Sequence, residues 1–215
     1  MSGHLSLLRL DLDDPQVRAD LRDASELHRS IMSAFPDVGG GGRARADMGI
    51  LFRLTEEREE ATVLVQSQVR PRWDDLLHVA RGYLKAPPQV RPLEPLLDQI
   101  VRDTLWRFRL LANATVARQG RRHGLMREED LVVWLLRRGE QLGARLASAE
   151  APTFTARDLG EIRGRRGRDR ITVRQAAFEG VLQVTDPAAL KRAVIAGVGR
   201  ARAYGCGLLS LAPVA

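Results

Sequence analysis

FEGVLQVTDPAALKRAVIAGVGRARAYGCGLLSL, residues 178–211, decides the fold. It reads as strand, helix, glycine-rich loop, strand. FEGVLQVTD is the end of a β-rich run, ITVRQAAFEGVLQVTD, that begins at Ile171. Asp186-Pro187 opens a helix, with Asp as N-cap and Pro at the first helical position, where a missing N–H costs nothing. PAALKRAVIA is that helix, and Gly197 suits its end because glycine accepts the left-handed conformation. CGLLSLAPV is a final strand. A nucleotide phosphate loop runs strand, glycines, helix. The order here is the reverse, and the Gly-Lys-Ser/Thr ending is absent.

Working back from this stretch, LWRFRLLANAT reads as a strand and Arg127 to Leu146 as a helix with an apolar stripe through Leu131, Trp134, Leu135 and Leu142. APTFTARDLGEIRG and ITVRQAAFEGVLQVTD are two strands around a basic turn. The second half is therefore strand–helix–strand–strand–helix–strand, the ferredoxin-like plan also used by RNA-recognition domains. The first half repeats the order. HLSLLRLDL is a strand, and DDPQVRADLRDASELHRSIMSAFP follows, in which Asp23 and Glu26 fit an N-cap and capping box and Phe35-Pro36 a helix end. MGILFRLTE and ATVLVQS form a hairpin, and WDDLLHVARGYL is weakly helical. No clear final strand follows, because prolines 87, 88, 92 and 95 break APPQVRPLEP, a candidate linker. The expectation is an α+β chain of two tandem ferredoxin-like (RRM-like) domains, antiparallel sheets with helices packed on one face. Residues 1–90 form the first domain, 91–104 the linker and 105–215 the second. The GGGG run at Gly39–Gly42 reads as a flexible linker.

The 215 residues carry a net charge of +7, with 34 Lys and Arg against 27 Asp and Glu. A basic surface favours polyanions such as nucleic acid or acidic membranes. No run approaches the roughly 18 apolar residues that span a bilayer. Arg9 and Asp11 break the N-terminal apolar stretch, so neither a signal peptide nor a membrane anchor is expected. Cys206 is the single cysteine, which excludes an intramolecular disulfide and fits a reducing cytoplasm.

One glycine suffices to cap the last helix, yet Gly199, Gly205 and Gly207 remain. Residues without side chains let another backbone approach, and bare amides can bind phosphate oxygens. Arg200 and Arg202 add charge beside them. A second concentration, EIRGRRGRDRITV, holds Arg163, Arg165, Arg166, Arg168 and Arg170 at the turn between two strands. It reads as a solvated hairpin tip or as a basic hairpin laid against a polyanion.

FEGVLQVTD followed by GVGRARAYGCGLLSLAPV resembles the C-terminus of the CasE family, the CRISPR repeat-RNA endoribonucleases of type I-E systems. The resemblance extends to DASELHRSIMSAFP (Asp23 to Pro36), LVQS (Leu64 to Ser67), WRFRLLAN (Trp106 to Asn113) and the REEDLVVWL helix, in the family's order. It implies two tandem ferredoxin-like domains. It also implies metal-independent cleavage of the CRISPR precursor transcript at the 3′ base of each repeat hairpin. The implied partners are the repeat RNA, as precursor and as mature crRNA, and the other subunits of the Cascade complex; no membrane is implied. No cofactor is expected. His4, His28, His78 and His123 are scattered and lack metal-ligand spacing.

The resemblance places the catalytic histidine at His28. At about 100° per residue His28 falls within the apolar arc of Leu21, Ala24, Leu27, Ile31, Met32 and Phe35, so a core histidine is the competing reading. Transfer through the ribose 2′-OH needs a base, an acid and cations for the phosphorane, and histidine can take either proton role. The resemblance implies 5′-OH and 2′,3′-cyclic phosphate ends. Where the family carries tyrosine, three residues before the histidine, this chain has Ser25. Arg22 and Arg29 lie angularly beside Ser25 on one helix and could bring charge to the phosphate. Arg-assisted catalysis, a slower enzyme, or a tyrosine from elsewhere such as Tyr204 all fit. In the family the arginine hairpin meets the RNA stem. Tyr83 with Lys85, and Arg118 with Arg121 and Arg122, are further candidate RNA contacts. A non-catalytic RNA-binding subunit of the same fold is the alternative, and a protein-interaction subunit without RNA is disfavoured by Arg163 to Arg170.

Overall fold

The structure, a computed structural model, describes residues 3–37, 44–79, 82–147 and 151–214. Gly39–Gly42 lie outside them. The chain divides into two compact units. One comprises Met1–Pro95, Ile162–Thr172 and Ala203–Gly205, the other Leu96–Glu161, Val173–Arg202 and Cys206–Ala215.

In the first unit, β1 (His4–Leu10) leads to α1 (Pro15–Arg22) and α2 (Ala24–Met32). The sequence suggests one apolar arc running from Leu21 to Phe35, but Asp23 splits it. Its backbone is extended, at φ −136° and ψ 108°, which ends α1. Its carboxylate accepts the Ser25 N–H at 2.8 Å, which opens α2. The capping box does not form: the Asp23 N–H donates to the Asp20 carbonyl, and Glu26 pairs with Arg29 instead. Short α3 (Ala44–Asp47), β2 (Leu51–Glu56), β3 (Ala61–Ser67) and α4 (Trp73–Val79) follow. The missing last strand is β4 (Gln89–Pro92), inside the proline-rich stretch. It pairs antiparallel with β1 from Leu7↔Gln89 to His4↔Pro92. Being at the sheet edge it tolerates proline, since one row of its amides needs no partner. Strand order is β2-β3-β1-β4. Alternate residues Leu8 and Leu10 of β1 and Ala61, Val63 and Val65 of β3 share one core with Val17, Leu27, Ile31 and Phe35. Tyr83 also lies in that core, 1% exposed, and not on an RNA-facing surface.

In the second unit α5 (Glu94–Asp98, of which Glu94 and Pro95 belong to the first unit) precedes β5 (Leu105–Ala112). A small hairpin, β6 (Thr115–Arg118) with β7 (Arg121–Gly124), was not legible as strands. α6 (Glu128–Leu142) stops at Gly143, which adopts φ 69°, so residues 144–146 are not helical as expected, and Ala144–Arg145 form β8. Leu131, Trp134 and Leu135 are buried, and Trp134 stacks on Phe178 at 5.5 Å. β9 (Phe154–Arg166) and β10 (Asp169–Val184) make the long hairpin. α7 (Pro187–Ala196) opens as read, the Asp186 carboxylate accepting the Ala189 N–H at 3.0 Å. β11 (Leu209–Pro213) pairs with β5, β5 with β10, and β10 with β9. Both sheets thus place the first strand between the last and the third, which is the ferredoxin-like order. Among the described residues no helix is long and apolar enough to cross a membrane.

Candidate active site

His28 sits in the middle of α2, whose neighbours Leu27 and Ile31 anchor it in the first unit's core. The imidazole lies over the Phe52 ring, centroids 6.2 Å apart and planes within 15°. Its Nδ1 is shielded, yet the residue as a whole is only half-buried. The side chain is therefore not enclosed as an ordinary core histidine would be, and the core fixes its ring plane.

One turn earlier, Ser25 Oγ accepts the Arg165 N–H at 2.8 Å. The arginine-rich turn thus meets the N-terminus of α2. Gly164 is buried there, and a Cβ on it would overlap Ser25 Oγ and lie 3.3 Å from Asp23 Oδ1. Arg29 is exposed and paired with Glu26, while Arg22 is exposed at the end of α1. The single helix face assumed for Arg22, Ser25 and Arg29 does not exist, because the Asp23 break puts Arg22 on a different helix. Arg163, Arg165, Arg168 and Arg170 are all exposed, and the Arg166 side chain lies outside the described set.

Farther along the same hairpin, Arg174 makes a bidentate pair with Asp158, 3.0 Å from Nε to Oδ1 and 2.6 Å from Nη2 to Oδ2. Those bonds hold the Asp158 carboxyl below the usual carboxylate range. Arg174 also approaches Glu161 at 3.6 Å, and its carbonyl accepts from Asn113 Nδ2. Sequence reasoning missed this pair. The signal lay in opposite charges on two adjacent strands whose register was not yet known.

The glycine loop divides into an inner and an outer part. The Gly197 N–H donates to the Ala193 carbonyl at 2.9 Å and the Gly207 N–H to the Leu111 carbonyl at 2.7 Å. Arg202 Nη2 donates to the Gly197 carbonyl at 3.1 Å. Gly205 and Gly207 are buried. The amides of Gly197 and Gly207 and one arginine are thus committed to the fold, while Gly199 and Arg200 are exposed. Gly207, at φ 95° with Val198 O 2.9 Å from where a Cβ would sit, accepts no side chain. Tyr204, half-buried in the 3-10 turn Arg202–Tyr204, belongs to the same compact unit as His28. Cys206 is buried, and burial pushes its thiol up to about 12. Among the described residues no three His, Cys, Asp or Glu side chains gather as metal ligands.

A family model described as "CRISPR associated protein" matches residues 4–213. The CRISPR-associated endoribonuclease Cse3 of Thermus thermophilus is 34% identical, over 97% of this chain and 99% of its own. The Cascade subunit CasE of Escherichia coli is 29% identical, over 92% of this chain and 96% of its own. The solved structure of Thermus thermophilus Cse3 bound to an RNA representing a pre-cleavage complex superposes with a TM-score of 0.81 at 33% identity, covering 99% of this chain and 100% of that one.

Proposed function

This chain belongs to the CasE family of CRISPR-associated proteins, and on that premise we propose that it is the endoribonuclease that processes CRISPR precursor RNA for Cascade. It cuts at the 3′ base of the repeat hairpin and remains on the mature crRNA as a Cascade subunit. The observation that carries the reading is His28, held by Phe52 but left half-accessible, on the helix whose N-terminus meets the arginine turn.

The reaction is an internal transfer. The 2′-oxygen bonds to phosphorus as its proton leaves, and the P–O5′ bond breaks as the 5′-oxygen takes a proton. The ends are a 2′,3′-cyclic phosphate and a 5′-OH, and no metal is consumed by the step. His28 carries one of the two proton transfers; with Nδ1 shielded, Nε2 is the nitrogen assigned to it. Charge on the phosphorane is offset by arginines, for which Arg22, the hairpin tip and Arg29 are the candidates, Arg29 only after leaving Glu26. The exposed Arg163, Arg165, Arg168 and Arg170, with Arg166, grip the RNA stem through its phosphates, because A-form RNA offers side chains a poor major groove. Gly199 and Arg200 are the part of the glycine loop free for RNA. Arg202, Gly197, Gly205 and Gly207 shape it. On this reading residues 1–90 carry the chemistry, and residues 105–215 supply the hairpin strands and the glycine loop. The lone buried cysteine fits a cytoplasmic site of action.

The second reading, a non-catalytic holder of guide RNA, draws on Ser25: a serine committed to the Arg165 N–H stands where the family has tyrosine. Incubation with the cognate repeat hairpin in EDTA separates the two. Cyclic-phosphate product that disappears in His28→Ala, with binding kept, supports the enzyme. Cleavage retained by His28→Ala would remove His28 from the site, and tight binding without any cleavage would favour the holder.

A further inference from the structure

We propose that Ser25 is a positioning residue whose hydroxyl latches the arginine hairpin to the catalytic helix, fixing how far the gripped RNA stem stands from His28 and hence which linkage is cut. The inference rests on the assignment of the chemistry to His28.

The contact is built from both sides. Ser25 Oγ takes the Arg165 N–H across 140 residues of chain at 2.8 Å. Ser25 is itself fixed, its own N–H held by the Asp23 carboxylate at 2.8 Å. On the hairpin side, Gly164 is buried and has no positive φ, so its backbone conformation does not require glycine. Space does. A Cβ would overlap Ser25 Oγ and come within 3.2 Å of Ser25 N and 3.3 Å of Asp23 Oδ1. The glycine is there to let the strand lie on the N-terminus of α2.

The alternation of a strand then assigns the faces. If residue 164 points at α2, residues 163 and 165 point the other way. Arg163 and Arg165 are exposed, as this requires. One face of the tip is anchored to the helix that carries His28, and the opposite face offers guanidinium groups to the stem. Ser25 and His28 lie three residues apart on that helix and share a face. The stem grip and the proton-transfer group are thus referred to one rigid element. A serine suits this task and a phenol does not, since the hydroxyl must reach a backbone amide packed directly against the helix. Ser25 acts by holding an amide, not by moving a proton.

The test uses the full chain and its cognate repeat hairpin, with Kd, single-turnover rate and nucleotide-resolution mapping of the product ends. Ser25→Ala should leave Kd within about threefold, lower the cleavage rate at least about tenfold, and spread the cuts to neighbouring linkages. Gly164→Ala attacks the same contact from the other partner and should do likewise. The double variant should be no worse than the more severe single, because the two remove one interaction. Arg163→Ala with Arg165→Ala should show the converse, weaker binding with the cut position kept. The retained Kd of Ser25→Ala verifies that the variant is folded. A Ser25→Ala enzyme that cuts at the wild-type rate and position overturns the inference. So does a rate loss that multiplies with that of Gly164→Ala. Should His28→Ala still cleave, the assignment of His28 fails. Should His28→Ala be inert while Ser25→Ala is unchanged, the latch alone fails.

Discussion

Removing the Tyr83 hydroxyl by Tyr83→Phe tests what holds α1 in place. That hydroxyl donates to Asp20 Oδ2 at 2.6 Å, and both residues are 1% exposed. Gln16 Nε2 donates to the other carboxylate oxygen at 2.8 Å. Burial first, and then the bond to Asp20, push the phenol far above its ordinary range, so it remains a donor wherever the protein is folded. Phenylalanine keeps the ring and deletes the donor, so no cavity opens. A hydrogen bond to a charged, buried partner contributes about 1.5–3 kcal/mol. That is about a 10- to 150-fold rise in the opening equilibrium of the first unit. Hydrogen exchange of the β3 amides reads this unit by itself, avoiding a two-state assumption for a chain of two units. In an Asp20→Ala background the same change should cost far less, because the phenol has then already lost its carboxylate acceptor and keeps only the Ser30 hydroxyl beside it. Exchange in Tyr83→Phe within threefold of wild type would refute the reasoning, as would equal costs in the two backgrounds.

Replacing Arg163, Arg165, Arg168 and Arg170 by alanine should weaken RNA binding and reduce the slope of log K against log salt by about 3, measured by filter binding between 50 and 200 mM salt at about 0.7–0.9 per lost phosphate contact. Cys206 should resist a thiol reagent at pH 8 and react on unfolding. Its thiol is raised in the folded state, so its stabilising effect is full below the unfolded value of about 8.5 and is lost as pH climbs towards about 12, which urea midpoints at pH 8 and pH 10 would show. Asp158 runs the other way. Its carboxyl is lowered, so the Arg174 pair stabilises above the unfolded value of about 3.9 and fades as pH falls through the folded one; Asp158→Asn should erase that acid dependence in thermal melts, at a cost of at most about 1 kcal/mol near neutrality. Gly207→Ala should destabilise by about 1–3 kcal/mol by chemical denaturation, given its positive φ and the Val198 carbonyl beneath it.

What the sequence makes legible is set by whether the deciding signal is local. Asp186-Pro187 and the alternating β1 carry their own instructions, and both elements stand where their residues put them. β4 was hidden because prolines forbid a central strand but not an edge strand, and edge position is a property of the sheet. Extending the face of α2 back past Asp23 to Leu21 and Arg22 failed for a related reason. Asp23 is a good N-cap, but only its extended backbone reveals that it also ends the helix before it. Gly143 likewise shortened α6, and Tyr83 was taken for surface because nothing near it in sequence announces Asp20 as its partner.

The site follows the same logic one level up. His28 was singled out through its motif, but its half-exposure was not legible, because helical angle places it within the apolar arc. Arg22 and Arg29 were placed by helical angle, which holds only within one helix, so the break at Asp23 separated them. Ser25 looked like a deficit because it was compared with a phenol in a proton-transfer role. Gly164 looked like flexibility because it sat among arginines. Neither reading contained the other residue, since 139 positions separate them and each makes sense only against its partner. A small polar residue at the start of a helix and a glycine without a positive φ are individually unremarkable. Together they require a close approach that ordinary residues would forbid. Such a pair is conserved in function only if changed together, so a chain of this family with a larger residue at position 25 should carry its hairpin farther from the helix. That gives the proposed latch a structural consequence independent of any rate: in Ser25→Tyr the Arg165 amide should lose its acceptor and exchange with solvent more than tenfold faster.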